Sequence, residues 1–124
     1  MKIMLLENTF AVCRLSPTES IPNWINKNSF WTVSQTLDEL SIVCRDDLTP
    51  IDIKSERGFR ILKIEGPLDF NLTGILCSVI KPLADHKISI FTISTFDTDY
   101  ILIKENDLES ATNILSGYGF FIIK

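Results

Sequence analysis

The residues this chain has few of narrow the possibilities first. It holds one histidine, His86, and three cysteines, Cys13, Cys44 and Cys77, which lie far apart and form no CxxC pair. That spacing makes neither a zinc motif nor a disulfide framework. The thiols read instead as small buried hydrophobes of a reducing compartment. His86 closes an apolar helical stretch with no nucleophile beside it in sequence, so it reads as a helix C-terminal residue and not as a general base. No apolar run approaches the ~20 residues that cross a bilayer. The opening "MKIMLLENTF" meets Glu7 and Asn8 too early for a signal-peptide core. We therefore expect a soluble, cytoplasmic chain with no membrane contact. Twelve scattered Lys and Arg against sixteen Asp and Glu leave a net charge of −4. Phosphate neutralisation needs clustered cations, so nucleic acid is not an expected partner. No GxxxxGK[ST], HExxH or Ser/His/Asp set occurs, and we expect no catalytic residue, no metal and no cofactor.

What is present is globular. The 124 residues are 45% apolar and 23% charged, which suits one ordinary domain or two very small ones sharing a core. Sliding the chain on itself by sixty residues sets Phe30–Leu48 on Ile90–Leu108. Thr32 then meets Thr92, Ser34 meets Ser94, Asp47 meets Asp107 and Leu48 meets Leu108. Apolar positions agree as well, from Trp31 with Phe91 to Val43 with Ile103. Internal duplication is the economical reading.

The second copy parses cleanly. Phe59–Glu65 alternates like a strand, and Gly66 and Pro67 break it. Leu72, Ile75, Leu76, Val79, Ile80 and Leu83 lie on one helical face, with Pro82 expected to kink or shorten the last turn. Lys87–Ser94 and Thr98–Lys104 form a hairpin around Thr95–Asp97. Asn106 with Glu109 resembles a capping box opening a short helix that Gly117 can end, before a final strand at Gly119–Ile123. The order is βαββαβ, the ferredoxin-like split unit. In the first copy Phe10–Leu15 is a strand, and "SPTES" offers Ser16 as an N-cap with Pro17 at the first helical position. Pro22 spoils that helix. Phe30–Gln35 and Leu40–Arg45 form its hairpin, and the unit is completed by exchange with its neighbour. "SERGFR", Ser55–Arg60, reads as a charged linker. We expect an α+β chain of two ferredoxin-like units in tandem, residues 1–58 degenerate and 59–124 complete. Each has an antiparallel sheet with helices on one face. "KISIFTIS", "YILI" and "FFII" are apolar on both strand faces, which implies a covered second face and points to a homodimer.

The stretch "PLADHKISIFTISTFDTDYILIKENDL" resembles the CASTOR-like tandem ACT-domain proteins, which include arginine sensors and small bacterial relatives. "EGPLDFNLTGIL" resembles the strand-to-helix loop of the bacterial members, and "FWTVSQTLDELSIVC" their first-repeat hairpin. The resemblance covers most of the chain from Phe30 onward and implies two ACT units, small amino-acid-binding regulatory domains. In the sensors the amino acid lies between neighbouring units. The matching positions here are Ser89 and Ile90 on a strand, Phe96 and Asp99 at a turn, and Gly66, Leu68, Asp69, Asn71, Leu72 and Thr73 in the loop. The sensors carry four units and this chain two, so the resemblance implies a site completed by a second chain. It also implies an amino-acid ligand whose identity does not transfer, and a regulated protein partner. The residues permit this chemistry. Backbone N–H groups at a helix start suit a ligand carboxylate, and Asp97 or Asp99 suits an ammonium. Read plainly, both aspartates are ordinary β-turn residues and "GPLDFN" an ordinary strand–helix connection. Hydrolases of the acylphosphatase type share the fold but need an arginine in the loop after the first strand, and the loop after Glu65 has none.

Overall fold

The computed structural model describes residues 1–25, 27–65 and 74–124. Two compact units emerge, one of Met1–Glu7 with Arg60–Lys124 and one of Asn8–Phe59. Strands β1 (Lys2–Leu5), β2 (Phe10–Leu15), β3 (Thr32–Gln35), β4 (Leu40–Arg45) and β5 (Ser55–Ile64) are followed by helix α1 (Ile75–Asp85). Strands β6 (Ile90–Ser94) and β7 (Asp99–Lys104), helix α2 (Leu108–Gly117) and strand β8 (Phe121–Ile123) complete the chain. β5 runs from one unit into the other.

In the larger unit the strands lie in the order β6-β7-β5-β1-β8. The elements from β5 to β8 follow the expected βαββαβ order. β1 was not legible as a strand. It pairs antiparallel with β5 and parallel with β8, Ile3 opposite both Ile64 and Ile122. The β1–β8 pairing is therefore parallel, whereas β1–β5 and β6–β7 are antiparallel. Both helices press on one cluster: Val79 and Leu83 from α1 and Ala111 and Leu115 from α2 meet Ile3, Leu62, Ile64, Ile101 and Ile103. Each buried Val, Leu or Ile of this set contributes roughly 1.5–3 kcal/mol relative to exposure. Pro82 sits inside α1, buried, and the helix runs on to Asp85. The proline lies in the last turn, so little helix follows the hydrogen bond that it removes. The capping box at Asn106 does not form. Glu105–Asp107 makes a 3₁₀ turn that leads into α2 with no side-chain cap bond. Past the helix, the left-handed residue is Gly119, at φ 93°, two positions beyond Gly117.

The smaller unit orders its strands β3-β4-β2-β5. Ala11, Cys13, Leu15, Ile25, Leu40, Ile42 and Cys44 form its core, with Trp24 and Trp31 packed against it. The helix expected from Ser16 is not there among the described residues. Ser16 does accept from the backbone N–H of Thr18, and its carbonyl from Glu19. That turn closes on itself and Pro22 denies a continuation, so Trp24, Ile25 and Trp31 cover the core from a loop instead. Ser55–Arg60 is not a linker but the first half of β5, and Arg57 explains why a charged stretch is held there. Its guanidinium donates to the carbonyls of Asp46 (3.1 Å), Thr49 (3.2 Å) and Pro50 (2.7 Å) and to Ser55 Oγ (3.0 Å). Gly58 takes φ 78° where β2 and β5 shift register, a conformation other side chains resist.

Candidate functional site

The β6–β7 hairpin carries the residues that sequence singled out, and its turn is built by two threonines. Thr95 N–H donates to the Thr98 carbonyl at 2.8 Å, and Thr95 Oγ donates to the same oxygen at 3.1 Å. Thr98, only 3% exposed, turns inward and donates its hydroxyl to the Ile64 carbonyl at 2.6 Å. The hairpin tip is thereby tied to the end of β5 within one unit. Sequence placed Thr98 at the start of the second hairpin strand, and no pattern announced that its hydroxyl would reach thirty-four residues back.

The expected site residues divide into three groups. Gly66, Leu68, Asp69, Asn71, Leu72 and Thr73 lie outside the described residues. Phe96 and Asp99 sit at the turn, Phe96 79% exposed at its tip and Asp99 half-buried, accepting a short hydrogen bond from Ser94 Oγ. Ser89 is exposed just ahead of β6, and Ile90 is the first residue of β6, packed against the apolar cluster opposite Ile103. β6 is five residues long, so at ~3.3 Å per residue the Ser89–Ile90 end stands over ~13 Å from the turn. The unit does not bring Ser89 and Ile90 together with Phe96 and Asp99. Two features that sequence did not flag lie beside the turn: Ser94, which engages Asp99, and Glu65, which follows the anchored carbonyl of Ile64.

Other candidates resolve into structural roles. His86 Nδ1 lies 2.8 Å from the Pro82 carbonyl, a donor position at the helix end. Cys13 and Cys44 are buried together, whereas Cys77 is exposed on α1, contrary to the expectation of three core thiols. The Cys13 hydrogen bond pulls the Cys44 thiol down to about 7 against the pull of burial, with help from the Thr49 hydroxyl and the Arg57 guanidinium. That same bond, with burial, pushes the Cys13 thiol up. No group of three or more metal-ligating side chains gathers among the described residues. No helix there is long and apolar enough to cross a membrane. A cavity of about 400 Å³ opens between Leu5, Lys124 and side chains from Glu105 to Asn113, and none of the expected site residues lines it.

Comparison with known proteins now bears on this geometry. The ACT domain family matches residues 54–117, just over half of the chain. The chain belongs to the ACT domain family. A second family, of an N-terminal domain, matches residues 8–52. The crystal structure of protein Atu0741 from Agobacterium tumefaciens is 40% identical, with a TM-score of 0.92 over 98% of this chain and 91% of that one. Over 45 residues the chain is 51% identical to human putative protein CASTOR3P and 44% identical to the human cytosolic arginine sensor for mTORC1 subunit 1. That segment is 36% of this chain and covers only 28% and 14% of those relatives. The aspartate kinase of Clostridium acetobutylicum, at 14% identity and a TM-score of 0.65 over 93% of this chain and 34% of that one, shares the fold. The α+β architecture is thus that of ferredoxin-like ACT units, and the CASTOR-like resemblance holds.

Proposed function

We propose that this chain is a non-catalytic, cytoplasmic regulatory protein that binds a free amino acid, acting as a homodimer of tandem ACT units with its ligand sites between units. ACT membership together with the relative named as a cytosolic arginine sensor carries the amino-acid reading. The tie from Thr98 to the Ile64 carbonyl supports it. It holds the β6–β7 turn, which carries Phe96 and Asp99, against the end of β5, and the backbone N–H groups of a helix start are a natural seat for a ligand carboxylate. Ser89 and Ile90, remote from that turn in one unit, are assigned to the same ligand from a neighbouring unit. Occupancy is read by a partner protein. Arginine is one candidate ligand among the amino acids, since this chain matches only a short segment of the sensor.

Thermal unfolding in the presence of each of the twenty amino acids tests the reading. A ligand at 100 times its dissociation constant stabilises by about 2.7 kcal/mol, which a melting curve resolves easily. Light scattering on the eluted protein reports the dimer. Silence across the panel at millimolar concentration favours a second reading, an interaction module that keeps the ACT scaffold without a ligand. The exposed rings and chains at the hairpin tips, Phe96 and Leu37, suit that reading.

A further inference from the structure

The end of β5 carries a carboxylate whose chemistry is unfinished. Glu65 is held by its own backbone, which donates to the Lys2 carbonyl at 3.0 Å, so the side chain departs from a fixed point. Its Oε1 is buried and has no hydrogen-bond partner among the described residues. Glu65 takes no part in the ion pairs of Arg45 with Asp47, Arg60 with Glu105 or Lys81 with Asp85. Buried polar atoms are overwhelmingly paired, and a carboxylate oxygen left without a donor loses its hydration for no return. Such an atom calls for a donor from elsewhere. One residue away, the Ile64 carbonyl anchors the turn through Thr98, so Glu65 stands beside the element on which the ligand reading rests. Of the two acids that sequence nominated for a ligand ammonium, Asp99 already accepts from Ser94 Oγ and Asp97 is exposed to solvent. Glu65 is an acid with a buried oxygen and capacity to spare.

We propose that Glu65 is the acceptor for the ammonium group of the bound amino acid, and so the residue by which the site selects amino acids over other small carboxylates. This rests on the ligand reading above. A primary ammonium brings a positive charge and three N–H donors, the complement of a carboxylate oxygen without a donor. An anionic ligand group would be repelled at the same place. Once bound, the ammonium supplies the hydrogen bond that Oε1 lacks among the described residues, so binding offsets a desolvation cost.

Two measurements on the full chain test the assignment. First, melting temperatures of the wild type are compared with each amino acid and with the 2-hydroxy acid of the same side chain. The expected result is that the hydroxy acids fail to stabilise; equal stabilisation overturns the assignment without any variant being made. Second, Glu65→Gln is melted with and without whichever amino acids stabilise the wild type. Its melting temperature without amino acid should equal or exceed that of the wild type, because an uncompensated charge is gone, and its ligand-induced shift should fall by at least half. A variant that melts lower alone yet keeps the full shift assigns Glu65 a purely structural role and overturns the proposal. If no amino acid stabilises the wild type, the ligand reading fails and this assignment with it. If the wild type responds and Glu65→Gln responds equally, only the assignment fails.

Discussion

The two hairpins, Thr32–Arg45 and Ile90–Lys104, are alike in construction and opposite in what they do with one position. Gln35 pairs with Leu40 to close the first turn, and Ser94 with Asp99 to close the second. Each turn begins with a threonine whose side chain and N–H bond across it, Thr36 to Glu39 and Thr95 to Thr98. Each second strand ends in a 3₁₀ turn, Asp46–Leu48 and Glu105–Asp107. The matching positions are therefore fifty-nine residues apart, and not the sixty that identities of Thr32, Ser34, Asp47 and Leu48 had indicated. In the corrected register Ile42 lies on Ile101 and Leu40 on Asp99. Leu40 is 2% exposed in an apolar cluster, whereas Asp99 is half-buried on a serine. One hairpin plugs the position with carbon and the other keeps it polar, as the proposed ligand site at the second hairpin requires.

The largest expected effect tests the asymmetry directly. Leu40→Ala should cost about 2–5 kcal/mol, the range for emptying a core position. Asp99→Ala, at the matching site, should cost about 1 kcal/mol, the net worth of an ordinary hydrogen bond. Paired denaturant titrations decide it. Similar losses at the two positions would mean that the polar pair is a structural element and that the hairpins differ only in composition.

The next contrast lies just past each hairpin. Asp46 accepts from Thr9 Oγ at 2.6 Å through one oxygen and from the Gly58 N–H at 3.2 Å through the other. Glu105, its counterpart, has a single loose ion pair with Arg60 at 3.9 Å. Asp46→Asn should lose about 1.5–3 kcal/mol, the range for hydrogen bonds to a charged group. Glu105→Gln should lose at most about 1 kcal/mol, as expected of a solvent-screened pair. Equal losses would show that the 3₁₀ turns carry the same load.

How far the sequence could lead is visible in these residues. Strand and helix periodicity in Phe59–Ile123 placed every element of the βαββαβ order within a few residues, because alternation and the apolar stripe from Ile75 to Leu83 report directly on burial. The register error had a physical source. In a strand apolar on both faces, a shift of one residue still sets hydrophobe on hydrophobe, so Val43 fits Ile103 as readily as it fits Leu102. Local signals failed where a distant partner decided the outcome. The cap at Ser16 closed a turn without a helix, and β1 is a strand only because β5 and β8 flank it. The charged run at Ser55–Arg60 is a strand because Arg57 has carbonyls to hold. In the candidate site, the residues carried over from a resemblance were legible. Glu65 and Thr98 were not, since the importance of each comes from a contact or a missing contact that sequence cannot display.

Thr98 offers a third, smaller contrast. Thr98→Val keeps shape and β-branching but deletes the hydroxyl on the Ile64 carbonyl, at about 1–2 kcal/mol for an unmet buried acceptor. Glu39, its counterpart, makes no such reach, so Glu39→Ala should change stability by less than about 0.5 kcal/mol. Hydrogen exchange sharpens the test: in Thr98→Val the amides near the β6–β7 turn should exchange faster while those of the β3–β4 turn do not change. Unchanged exchange at both turns would mean that the tie is dispensable for holding the tip.

The smallest effects on stability belong to the tips themselves, and there the comparison bears on function most cleanly. Leu37 is 97% exposed and Phe96 79% exposed at matching turn positions. Leu37→Ser and Phe96→Ser should each alter stability by no more than about 0.5 kcal/mol, because little apolar area leaves a core in either case. If the second hairpin is the one that frames the amino acid, Phe96→Ser should reduce the melting shift produced by a stabilising amino acid, and Leu37→Ser should leave it whole. The two variants control for each other: both remove one large apolar side chain from one hairpin tip, so a general effect on solubility or folding would appear in both. Only a ligand effect separates them, and an equal response from the two tips would remove Phe96 from the site while leaving the polar pair of Ser94 and Asp99 to be judged on its own measurement.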